Sequence, residues 1–137
     1  MWKYYALLSA FFAALTAILA KIGVRGINGN VATAIRTVVI LFLAWGIVFF
    51  SGQIKDIREL SKTNLLFLVF SGIATGLSWI FYFKALETGN VSKVAPLDKL
   101  SVVFVILLSF IFLNEPLDFK TIVGGILILG GALVLLL

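Results

Sequence analysis

Six side chains of types that could hold a polar ligand fall inside long apolar runs of this sequence: Arg36, Ser78, Trp79, Tyr82, Asp98 and Lys99. Asp98 and Lys99 are an acid and a base side by side, about two turns into the run 92–113. An ionisable residue within a membrane-length apolar run is costly to bury, so by default it marks a functional site. Arg36 lies about six residues into the run 31–50, counted from the same side of the membrane as the 98–99 pair. At about 1.5 Å per residue, both reach a depth of about 8 to 10 Å. Lys21 and Lys84 close two further runs on that side. The expected result is one electropositive layer, Lys21, Arg36, Lys84 and Lys99, around a single deep acid, Asp98. Its chemistry would be recognition of an anionic or zwitterionic small molecule in a crevice between helices.

Ser71, Thr75, Ser78 and Tyr82 recur at intervals of four, three and four residues, with Trp79 beside them. That spacing sets hydroxyls and an indole along one helix face, which suits either a cavity wall or interhelical hydrogen bonding. Other functions for the charges stand alongside. Lys21 and Lys84 can snorkel to the headgroups. Asp98 stabilises a helix dipole if Pro96 is the first helical residue, and Lys99, about 100° further round, could pair with a neighbour.

The elements that position these residues follow from composition. Of the 137 residues, 62% are hydrophobic and 12% charged, and the mean hydropathy is +1.19. That is more apolar surface than a soluble core of this size could hide. The chain is expected to be an all-α integral membrane protein, multi-pass in the cell membrane, with five spans near residues 2–22, 31–50, 65–86, 92–113 and 119–137. Residues 23–30 carry three glycines and two asparagines, which is turn chemistry. Residues 51–64 form the one long polar connection; Ile54, Ile57 and Leu60 recur every three residues there, consistent with a short interfacial helix. The sequence has no cysteine and no histidine, so thiolate chemistry, the commonest general base and the commonest metal ligand are missing. An enzyme is therefore not expected, and neither a metal nor a cofactor. The net charge of +5 comes from basic residues scattered over helix ends and loops, which fits lipid headgroups rather than nucleic acid.

Five spans put the termini on opposite sides. Lys3, Lys55, Arg58, Lys62 and Lys120 fall on the N-terminal side; Lys21, Arg25, Lys84 and Lys93 fall on the other, with the deeper Arg36 and Lys99. So small a bias leaves two possibilities, a dual-topology protein that pairs antiparallel or one orientation fixed by other signals. Gly124, Gly125, Gly130 and Gly131 sit seven and six residues apart on the last span and offer a smooth strip for another helix. Gly72 and Gly76 read as a second packing motif.

The run from Gly76 to Leu86, the segment Val91 to Leu97, the apolar span closed by Glu115 and the glycine pairs resemble an EamA domain of the drug/metabolite transporter superfamily. Lys21 and Arg36 match positions that family commonly fills with basic residues. The resemblance implies half of a ten-helix inverted-repeat transporter, completed by an antiparallel homodimer. It also implies alternating-access movement of a small-molecule substrate through a central cavity; the charges and the helix spacing add the expectation of Arg36 and Lys99 on anionic groups, Asp98 tuning or gating them, and Ser78, Trp79 and Tyr82 as wall. A flippase for an anionic lipid carrier and a non-transporting membrane scaffold are the alternatives. Two departures stand out: Val102 replaces a proline common in the family, and residues 1–51 contain no acid, unlike the proton-coupled small multidrug resistance proteins.

Overall fold

The computed structural model describes residues 1–137 and is all-helical, without strands. Helix α1 spans Trp2–Gly23, α2 Gly29–Phe50, α3 Lys62–Thr88, α4 Val91–Asp98, α5 Ser101–Leu113 and α6 Phe119–Val134, with a 3-10 turn at Gln53–Glu59 between α2 and α3. Helices α1, α2 and α3, and the run Val91–Leu113 taken together, are long and apolar enough to cross a membrane. Most large apolar side chains point outward: Phe42, Phe67 and Phe112 are 73%, 68% and 75% exposed. A helix apolar all round must be covered by protein or by lipid, and with these faces uncovered by protein the exposure argues for a bilayer.

Local chemistry fixes the helix ends. The Asn28 side chain accepts from the Asn30 N–H at 2.8 Å and opens α2. Ser61 accepts from the Asn64 N–H at 3.0 Å, which starts α3 at Lys62, three residues before the expected 65. Past α2, Gly52 takes φ 69°, a left-handed turn that a β-carbon would strain. Asp118 opens α6 by accepting from both the N–H and the hydroxyl of Thr121. The Thr121 hydroxyl first, and its N–H second, hold the Asp118 carboxyl below the usual carboxylate range.

The expected fourth span is broken. Asn90 precedes α4, and the N–H groups of Lys93 and Val94 both bond the Asn90 carbonyl, so the helix starts at Val91 rather than at Pro96. Pro96 lies inside α4 and has no N–H to give. Just beyond it the backbone tightens to i→i−3 bonds: Lys99 to Pro96, Leu100 to Leu97, Val102 to Lys99 and Val103 to Leu100, all at 3.0 Å. Asp98 and Lys99 therefore sit at a junction between two helices. Helix α6 is 16 residues long and stops at Val134, short of the expected 137 and of a full span.

The chain forms two units, Ala20–Thr88 and Met1–Leu19 with Gly89–Leu137. Within Ala20–Thr88, α2 packs on α3, and the 3-10 turn returns against α2. Phe83 and Leu86 are 2% and 0% exposed, and Ala20 and Val24 are buried as well. Gly29, the first residue of α2, is buried; a β-carbon there would lie 3.3 Å from the Phe83 carbonyl carbon. In the other unit α6 packs on α5 and α4. Gly125 is buried, with a would-be β-carbon 3.1 Å from Ile106 Cδ1, while Gly124, Gly130 and Gly131 have nothing within 4 Å.

Candidate functional site

Helix α2 carries three polar side chains beyond its first turn, and they are treated differently. Thr33 and Thr37 donate back to the Gly29 and Thr33 carbonyls, each at 2.8 Å, so their hydroxyls are satisfied by their own helix. Arg36 is half-buried and has no such outlet. Its guanidinium carbon lies 4.3 Å from the centre of the Trp79 ring and 5.4 Å from that of Phe83. Both distances are within cation–π range. Tyr82, next to Phe83 on α3, acts electrostatically on the same charge. No carboxylate pairs with Arg36, and its N–H groups meet no acceptor. The result is a cation held over aromatic rings, with its donors still open.

The spacing of α3 explains the cluster. Trp79, Phe83 and Glu87 follow at intervals of four and share a face, as do Gly29, Thr33 and Arg36 on α2. At the end of the pair, the Glu87 carboxylate accepts from the Gly29 N–H, and Lys21 Nζ donates to the Leu86 carbonyl. Each charge thus caps an orphan backbone group of a neighbouring helix end. Beside them Lys21, Arg25, Asn28 and Glu87 line an open cleft of about 280 Å³.

Of the six residues singled out by sequence, Arg36, Trp79 and Tyr82 come together in this unit. Ser78 lies one position round α3, exposed and without a hydrogen bond. In the hydroxyl stripe, Thr75 donates to the Ser71 carbonyl at 2.8 Å, and Gly72 and Gly76 face open space. Asp98 and Lys99 belong to the other unit, where they pair with each other at 3.4 Å, with side chains 39% and 54% exposed. Asp98 is the last residue of α4, not a first-turn carboxylate, so the dipole-capping role conceived for it is corrected. Lys99 finds its partner in its own neighbour, across the tightened turn, rather than on another helix. The residues that the spacing argument missed are Phe83, the second ring on Arg36, and Glu87, taken as part of a turn. Their signal was the continued four-residue interval after Trp79. No group of three His, Cys, Asp or Glu side chains converges as a metal site.

The sequence matches the family described as "EamA-like transporter family" over residues 1–137. An uncharacterized transporter in the cobO 3′ region of Sinorhizobium sp is 50% identical over 134 residues, covering 98% of this chain and 95% of that protein. No solved structure matches.

Proposed function

The chain belongs to the EamA-like transporter family, and as a membrane transporter of that family, we propose, it moves a small organic metabolite by alternating access. The observation that carries this is the state of Arg36: a guanidinium within an apolar helix, held on Trp79, with no acceptor of its own. A purely structural arginine at such a position would be expected to meet a carboxylate or backbone carbonyls. In the proposed cycle Arg36 contacts an anionic group of the substrate, and Lys99, in the other unit, is a second residue able to take one. Asp98 competes with that group for Lys99, so release of the pair accompanies binding. Ser78, Trp79 and Tyr82 line the path. The working form is an antiparallel homodimer in the cell membrane, two copies giving ten spans if α4 and α5 together count as one and α6 as another. Flipping of an anionic lipid carrier is the second reading; it draws on the cleft that Lys21 and Arg25 line together with Glu87.

The test is uptake into proteoliposomes by wild type, Arg36→Ala and Lys99→Ala across anionic, zwitterionic and cationic metabolites. Loss of transport in both variants is the expected outcome; unchanged transport removes the site, and no transport of any candidate by wild type favours a scaffold. The chain has no cysteine, so single cysteines placed at each end report orientation directly. A parallel-only crosslinking pattern excludes the antiparallel dimer.

A further inference from the structure

The way Arg36 is held restricts what it can hold. A guanidinium is planar, and its five N–H bonds point outward in that plane. The Trp79 ring centre at 4.3 Å and the Phe83 ring centre at 5.4 Å take up part of the space around the guanidinium carbon, so a partner approaches through the N–H donors that the rings leave open. No carboxylate or carbonyl of this unit accepts from those donors, and Tyr82 acts on the charge electrostatically. Thr33 and Thr37 are spent on their own helix, and Glu87, the acid that follows on the Trp79–Phe83 face, is committed to the Gly29 N–H. Trp79 and Glu87 are two turns apart, about 12 Å along α3.

We infer that Arg36 takes an oxyanion, a carboxylate or a phosphate, edge-on through two parallel N–H···O bonds, and that Trp79 is the positioning residue that fixes the plane of this fork. The inference rests on the proposal that Arg36 contacts substrate, and it narrows the substrate to molecules bearing a Y-shaped or tetrahedral oxyanion. A halide offers one acceptor centre and cannot form two parallel N–H···O bonds, so it should bind more weakly than an oxyanion. Charge alone is insufficient: a lysine presents a point charge without a fork and does not stack flat on an indole. The phosphate could belong to a soluble metabolite or to a lipid headgroup, since both present the same oxygens.

Trp79 gives a direct readout, because it touches the guanidinium. With Trp2 and Trp45 replaced by phenylalanine, Trp79 is the remaining indole in the full-length chain. The protein is held in maltoside micelles and phosphate-free buffer, and inorganic phosphate, acetate and chloride are titrated at constant ionic strength. The expected result is a saturable change in Trp79 emission with phosphate and acetate, and a clearly weaker one with chloride. Arg36→Lys, checked for unchanged helix content by circular dichroism, should bind phosphate about tenfold more weakly or worse, the loss of one charge-assisted hydrogen bond. Calorimetry on Trp79→Leu should show weaker phosphate binding and lost discrimination against chloride, and Trp79→Phe should restore part of both. Adding phosphatidylglycerol to the micelles separates the sources: emission already at its saturated position before phosphate identifies the headgroup, and an unchanged phosphate titration identifies a soluble anion. The inference is overturned if phosphate gives no saturable response, if chloride matches it, or if Arg36→Ala or Arg36→Lys responds like wild type. It fails separately from the transport proposal. Binding with no transport leaves the oxyanion site and removes the carrier, while transport without oxyanion binding does the reverse.

Discussion

Gly29→Ala tests the packing on which the Arg36 cluster depends. The added methyl would lie 3.3 Å from the Phe83 carbonyl carbon and would also meet the Glu87 carboxylate. Backbone cannot yield as a flexible side chain can, and Phe83 and Leu86, at 2% and 0% exposure, leave α3 no slack. One response separates the helices by a few tenths of an ångström, an overpacking cost of about 1–3 kcal/mol. Another swings Glu87 away and leaves the Gly29 N–H without its charged acceptor, a loss of about 1.5–3 kcal/mol. Against these stands the gain of alanine over glycine in a helix, at most about 1 kcal/mol and less in the first turn. The responses are alternatives rather than additive, so the net expectation is a destabilisation of about 1–2 kcal/mol.

Gly72→Ala and Gly130→Ala are the controls, because a β-carbon at either position meets nothing within 4 Å. Each should leave the protomer as stable as wild type or raise it by up to about 1 kcal/mol. The assay is unfolding in mixed maltoside and dodecyl sulfate micelles, followed by far-ultraviolet circular dichroism at protein concentrations where the chain is monomeric. A wild-type midpoint for Gly29→Ala would refute the close approach of α2 to α3. A loss of stability in the controls only at high protein concentration would place those glycines against a second copy.

Three further outcomes follow from the same structure. Glu87→Ala should speed hydrogen exchange at the Gly29 amide, measured by mass spectrometry, and cost about 1.5–3 kcal/mol of stability, whereas an unchanged exchange rate would contradict the bond. Asp118→Ala should weaken the protein at neutral pH. The depressed carboxyl contributes stability above its unfolded value, near 3.9, and loses it as pH falls through the lower folded value, so the gap to wild type should close on acidification; a pH-independent gap in unfolding midpoint would argue against the cap. Asp98→Asn should change the unfolding midpoint by less than about 0.5 kcal/mol, since exposed pairs contribute little and the residue caps no helix; a loss above about 1.5 kcal/mol would give the pair a structural role.

The membrane class and the first three helices were legible, and Arg36, Trp79 and Tyr82 could each be singled out, because each rests on a local signal: a long apolar run, or a polar residue out of place within one. The α4–α5 junction was not. Proline favours the first helical position, and reading Pro96 there made Asp98 a first-turn acid. In the structure the turn at Asn90 wins, because Lys93 and Val94 can both bond its carbonyl, and Pro96 is left inside the helix. Its missing donor then accompanies a tightened backbone where the sequence shows only an uninterrupted apolar run. Glu87 was obscured by its neighbours: Thr88, Gly89 and Asn90 read as a turn, yet α3 continues to Thr88 and carries Glu87 on the same face as Trp79. Pairing of α2 with α3 is a long-range property, and no local periodicity names the ring that a given arginine will find.

The energetics of unit Ala20–Thr88 support a ligand for Arg36 by difference. In hydrocarbon, polar groups must be satisfied internally. Lys21 meets the Leu86 carbonyl, Glu87 the Gly29 N–H, Thr33 the Gly29 carbonyl and Thr37 the Thr33 carbonyl. Arg36 receives only its aromatic contacts, worth about 0.5–2 kcal/mol. Inserting an arginine at the centre of a membrane helix costs about 2.5–3.5 kcal/mol, less nearer the interface. Stacking therefore offsets part of that cost and leaves a deficit that one or two charge-assisted hydrogen bonds, at about 1.5–3 kcal/mol each, would remove. An apolar residue on the same face would have spared the protein the deficit. The Asp98–Lys99 pair differs in kind, because its charges neutralise each other within one turn and impose no comparable demand for a partner. Of the two features, Arg36 is thus the one whose presence is hardest to explain without something that binds it.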